Sequence, residues 1–146
     1  MSAGYSGTPL VQKLGIKESF SIAILNAPDG YDSLLGPLPL GVTVARGLKG
    51  ELDFIQLFAT ERADLLRELP KLKERTGQNG MIWVSCPKRT SKLQTDLGDD
   101  IVRKAGLENG LVDVKVCAVD ETWSALKFVR RLENRGGKLH PTKRKA

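Results

Sequence analysis

The 146-residue chain is poor in the side chains that most catalytic machinery uses: one histidine, His140, and two cysteines, Cys86 and Cys117. A single imidazole and two widely separated thiols make neither a zinc ligand set nor a disulfide framework, so no metal site is expected. No second histidine is present to activate a serine or cysteine in the body of the chain, which speaks against Ser–His and Cys–His catalysis. Phosphate-binding glycine motifs are missing as well, since neither GxGxxG nor GxxxxGK[ST] occurs. No apolar run approaches the ~20 residues that a membrane helix needs. The opening MSAGYSGTPLVQKLG lacks the charged-then-apolar layout of a signal peptide. A reduced, cytoplasmic setting is the simplest expectation.

Charge is present but unevenly spread. Of 23 basic and 17 acidic residues, seven cations and one anion lie from Arg130 onward, leaving 16 of each sign in residues 1–129. The division predicts one neutral globular domain over residues 1–131 and a basic, disordered tail over 132–146. That tail could meet nucleic acid through phosphate contacts, but it has no aromatic residue to stack on bases.

The remaining pattern alternates strands and helices. Thr8-Pro9 opens a short helix that Gly15 ends, with threonine as N-cap. Strands are expected at Phe20–Leu25, Val42–Ala45 and Leu52–Ala59, and Tyr31–Leu35 forms at most one or two helical turns. Turn chemistry breaks the chain at Asn26-Ala27-Pro28-Asp29-Gly30 and again from Gly47 to Gly50. Glu61–Arg75 reads as a helix capped by Thr60, with Leu65, Leu66, Leu69 and Leu72 as its buried stripe and Pro70 bending or splitting it near Leu66.

The stretch 80–131 organises the rest. Met81–Cys86 is apolar except for Ser85, as in a strand covered on both faces, with Asn79-Gly80 as a turn before it and Pro87 as its stop. A helix over Thr95–Ala105 follows, with Thr95 as N-cap and Gly106 as a left-handed terminator. Val112–Val119 has the alternation of an edge strand. Asp120-Glu121-Thr122 is too short for a crossover, so Trp123–Arg131 returns antiparallel. This closing unit resembles that of class I methyltransferases, in which the last strand inserts between its two predecessors. The implied architecture is a single three-layer α/β domain, Rossmann-like, with about six mostly parallel strands. By start residue their order is 42, 20, 52, 80, 123, 112.

Ligands of open parallel sheets gather beyond the carboxyl ends of the strands. That edge would carry Asn26, Asp29 and Gly30; Thr60 and Arg62; Lys88 and Arg89; and Asp120, Glu121 and Trp123. Lys88 and Arg89 suit an anion, as does Arg62 in the first turn of a helix. Asp120 or Glu121 could act as base or hold a ribose hydroxyl, and Trp123 could stack on a base, whereas Trp83 belongs to the core. The bland alternative is that Asp120–Lys88 and Glu121–Arg89 are surface ion pairs. Lysine and arginine near Cys86 would lower its pKa. The methyltransferase-like resemblance implies S-adenosylmethionine. Yet the segment in place of that fold's glycine-rich loop, Asn26 to Gly30, keeps only Gly30, which speaks against binding in the usual manner.

The strings GYSGTPLVQKLGIK, ATERADL, GMIWVSCPKRTS and GLVDVKVCAVDETWSALKFVRR resemble an uncharacterised bacterial family, a domain of unknown function of small cytoplasmic Rossmann-like proteins. The family implies no activity. The expectation is a domain that binds a small anionic ligand, a nucleotide or phosphate, at its rim. The alternatives are a non-enzymatic protein-interaction module that has lost a cofactor loop, or a nucleic-acid accessory acting through the tail.

Overall fold

The structure, a computed structural model, describes residues 8–46 and 50–131. The expected flexible opening at Gly4–Gly7, most of the turn from Gly47 and the basic tail lie outside the described residues.

In chain order the elements are α1 (Leu10–Leu14), β1 (Ser21–Leu25), α2 (Tyr31–Leu35), β2 (Thr43–Val44), β3 (Leu52–Phe58), α3 (Arg62–Arg75), β4 (Thr76–Pro87), α4 (Asp99–Glu108), β5 (Leu111–Ala118) and β6 (Trp123–Arg130). One six-stranded sheet has the order β2-β1-β3-β4-β6-β5. The pairs β1–β2, β1–β3 and β3–β4 are parallel, and β6 is antiparallel to both β4 and β5. This is the mixed α/β architecture that the order of apolar runs implied, with the returning strand seated inward of its predecessor as the methyltransferase-like resemblance implied.

Alternation along the strands divides the core into two layers. Ile55, Leu57, Ile82, Val84, Leu126 and Phe128 face α3 and α4, meeting Leu65, Leu69, Leu72, Val102 and Ala105. Phe54, Phe58, Met81, Trp83, Trp123 and Ala125 face the other way, toward Val11 and Leu14 of α1 and Tyr31 and Leu35 of α2. Trp83 is fully buried, and its indole N–H donates to the Leu14 carbonyl at 2.9 Å, tying α1 to the centre of the sheet.

Several boundaries differ from the sequence reading. The last helix starts at Asp99, not Thr95, because the Thr95 hydroxyl is engaged elsewhere, donating to the Thr60 carbonyl at 2.6 Å and accepting from Leu97 N–H at 3.0 Å. Gly106 does not end this helix but lies within it, buried against the Phe128 ring. The left-handed residue is Gly110, at φ 77°. Asn79-Gly80 is not a free turn but part of β4, inside a bulge where Leu52 pairs with Thr76 and Phe54 with Met81. At the start of α1, Pro9 rather than Thr8 holds the cap position. Thr60 does not cap α3 either. Glu61 occupies that place without a side-chain bond, and the Asp96 carboxylate accepts from Arg62 N–H at 2.6 Å instead. The helix Arg62–Arg75 is not split at Pro70.

Candidate ligand site at the carboxyl edge of the sheet

The parallel strands all point their carboxyl ends at one edge, and β6 begins there. The direction of chain progression reverses between β1 and β3, because the chain leaves β1 outward for β2 and returns to place β3 on the other side. Crevices at such reversals are where open α/β sheets bind ligands.

Three aromatic rings tie the loop tips together. Tyr31 directly follows the loop of Asn26, Asp29 and Gly30, Phe58 precedes the loop of Thr60 and Arg62, and Trp123 follows Asp120 and Glu121. The Tyr31 and Phe58 ring centroids are 4.9 Å apart and those of Phe58 and Trp123 5.0 Å, both edge-to-face. Beneath them the Tyr31 hydroxyl donates to Gln56 Oε1 at 2.6 Å, and Gln56 Nε2 donates to Ser85 Oγ at 3.0 Å. Burial raises the Tyr31 pKa above its ordinary value, the Gln56 hydrogen bond opposes this, and Cys117 and Asp120 add to the rise. The phenol therefore stays protonated and acts as a fixed strut. This network went unforeseen, although its signal was present: Gln56 and Ser85 are lone polar residues inside two central apolar runs.

The loop after β1 is held by left-handed residues, Asn26 at φ 60° and Gly30 at φ 84°. A Cβ at Gly30 would meet nothing within 4 Å, so its backbone faces open space. Asp29 is exposed. The loop after β4 joins the hairpin loop through Lys88 N–H, which donates to the Thr122 carbonyl at 2.8 Å. Asp120 folds that hairpin, its Oδ1 accepting from both Thr122 and Trp123 N–H at 2.8 Å. Asp120 thus spends one carboxylate oxygen on its own turn, and Trp123 is buried in the ring cluster. Glu121 is exposed beside them.

The β3–α3 loop leads elsewhere. The Thr60 carbonyl meets Thr95, and Arg62 lines a groove of about 430 Å³ between α3 and α4 with Leu66, Asp96 and Lys104. The anion expected at the start of α3 is supplied by the chain's own Asp96.

Lys88 and Arg89 enter none of the ion pairs among the described residues, so the pairings with Asp120 and Glu121 do not form. The Ser91 hydroxyl, one turn along the same loop, is buried without a hydrogen-bond partner. Cys86 behaves contrary to expectation: burial first, and Asp99 second, push its thiol up to about 11. Cys117 is also raised by burial, with Lys13 and Lys115 opposing. Both thiols are free. Among the described residues no helix is long and apolar enough to cross a membrane.

The order of strands and the inserted β6 define a Rossmann-like fold of the methyltransferase type. Solved structures share it. A putative methyltransferase from Thermoplasma acidophilum superposes with a TM-score of 0.57 at 10% identity, over 86% of this chain and 73% of that one. Aeropyrum pernix fibrillarin, determined with natively bound S-adenosyl-L-methionine, gives 0.56 at 12% identity, over 86% and 70%. The ribosomal protein L11 methylase of Lactobacillus delbrueckii subsp. bulgaricus gives 0.54 at 13%, over 83% and 74%. No family model matches the chain, and no curated protein does.

Proposed function

We propose that this protein is a small ligand-binding domain that takes an anionic molecule, a nucleotide or phosphorylated metabolite, at the carboxyl edge of its sheet. The observation that carries the reading is the β4–α4 loop: Lys88 and Arg89 without carboxylate partners, and a buried, unpartnered Ser91 hydroxyl beside them. A buried hydroxyl left unpaired costs about 1–3 kcal/mol, which a bound oxygen acceptor would recover. Lys88 and Arg89 would hold the anion. Asn26, Asp29 and Gly30 would bound it across the crevice, and Glu121 with the second oxygen of Asp120 would accept from sugar hydroxyls.

S-adenosylmethionine belongs to the ligands worth testing because structural neighbours were solved with it. The loop at residues 26–30 supports it less well. It has one glycine, Pro28 has no N–H to offer, and Tyr31 N–H already donates to the Pro28 carbonyl at 3.1 Å. A cytoplasmic setting accords with two free thiols.

The experiment is thermal shift on the full chain with nucleotides, sugar phosphates, S-adenosylmethionine and S-adenosylhomocysteine. A phosphorylated compound should stabilise the protein by about 2.7 kcal/mol at a hundred times its Kd. Lys88→Ala or Arg89→Ala should weaken it roughly tenfold, the worth of one charge-assisted contact. Stabilisation by the sulfonium compounds alone, indifferent to both variants, would replace an anion site with a nucleoside site. No shift with any compound would remove the reading.

A further inference from the structure

On the side of α3 and α4, three cations have carboxylate partners: Arg67 with Asp64 at 2.6 Å and Glu68 at 3.2 Å, Lys71 with Glu68 at 3.9 Å, Arg103 with Asp113 at 2.9 Å and Asp100 at 3.6 Å, whereas Arg62, Lys73, Arg75 and Lys104 enter none of the ion pairs among the described residues. On the α1 side, lysines gather instead. Lys115 of β5 and Lys127 of β6 are register partners. Their side chains therefore leave the same face, with Cβ atoms roughly 5 Å apart, an arrangement that weakens a ladder when the charges are alike. Lys127 is also the register partner of Trp83, whose indole bonds to α1, and this fixes the face. Lys17 lies three positions past Leu14, whose carbonyl accepts from the indole of Trp83, the register partner of Lys127; the Lys127 pKa is lowered first by burial, then by Lys115 and Lys17. Lys17, Lys115 and Lys127 enter none of the ion pairs among the described residues, and neither does Glu18.

We propose that Lys17, Lys115 and Lys127 form a docking face for the phosphate backbone of a nucleic-acid strand. A like-charged pair that the fold itself does not reward is explained by a polyanion laid across it. Each strand of a duplex offers a negative charge every ~3.4 Å of axis, dense enough to place a phosphate at each lysine. Lysines act here as point charges that position without reading bases. The exposed large apolar side chains among the described residues include no aromatic. The face therefore lacks both a stacking platform and the Trp or Phe anchors of a membrane-surface element. Binding is accordingly sequence-independent and salt-sensitive. The face is separate from the rim site and involves none of its residues.

Fluorescence anisotropy of the full chain with a labelled DNA duplex, from 50 to 200 mM salt, tests this. Three phosphate contacts give a log–log slope near −2.7, a loss of about 40-fold over that range, to which residues beyond 131 can add. The decisive quantity is a difference. Lys115→Gln with Lys127→Gln should flatten the slope by about 1.8, and Lys115→Gln alone, at an exposed position, by about 0.9. Lys71→Gln on the opposite side should leave it unchanged. Slopes identical in wild type and both lysine variants, no binding at 50 mM salt, or capture by anionic lipid vesicles but not by DNA would each overturn the proposal.

Discussion

Gly106 carries no side chain because Phe128 leaves none room. A Cβ there would stand 2.7 Å from two atoms of a fully buried ring. Gly106→Ala gains helix propensity but overpacks the α4–β6 contact, and the net loss should be about 1–2 kcal/mol in urea denaturation. An unchanged or raised midpoint would show that the ring moves aside. Cys86 supports a prediction about pH. The unfolded thiol releases its proton near the ordinary 9.0, whereas the folded one holds it to about 11. Between those values the folded state binds more protons. Its stability is therefore fully present below pH 9 and falls as pH rises, by up to ~1.4 kcal/mol per unit from this group. Cys86→Ala should flatten that alkaline limb partly, since Tyr31 and Cys117 shift in the same direction. At this scale the sequence misled most. The cations flanking Cys86 in the chain do not set its environment; burial first, and Asp99 second, raise its pKa. The glycine at 106 was read as a terminator because its ring neighbour lies 22 positions away in β6.

Elements depend on caps that come from far along the chain. Asp96 closes the start of α3 by accepting from Arg62 N–H, 34 residues earlier, and Thr95 reaches the Thr60 carbonyl beside it. Asp96→Ala should therefore lower stability by about 0.5–2 kcal/mol, as loss of a helix cap does, although Asp96 lies outside both helices. Native-state hydrogen exchange would locate the loss. Opening confined to α4 would show that the bond does not hold α3. The apolar runs located all the strands to within a few residues, because burial on one or both faces writes its period directly into the sequence. Helix starts were less legible. Thr60 and Thr95 are good N-caps by type, yet the Thr95 hydroxyl bonds to the Thr60 carbonyl instead, and no local pattern reveals a bond across 35 residues.

The order of the six strands was legible because chain connectivity and right-handed crossovers leave few alternatives, and the resemblance of the closing unit to class I methyltransferases supplied the inward place of the last strand. The rim was legible as an edge but not in its contacts. Which carboxylate folds its own turn, which cation stays unpaired and which hydroxyl is stranded are outcomes of side-chain packing. The two outermost strands differ in how they end the sheet. β2 is two residues long, while β5 offers eight, interrupted where Asp113 pairs with Phe128 but Lys115 with Lys127. Val114 is the surplus residue, 53% exposed, and it breaks the regular row of free amide groups that another copy would need to zip on. Deleting Val114 should straighten that border and, on prolonged incubation at high concentration, seed thioflavin-positive fibrils that the intact chain does not form. One supernumerary valine would then be what keeps a crowded solution of this protein from turning into a gel.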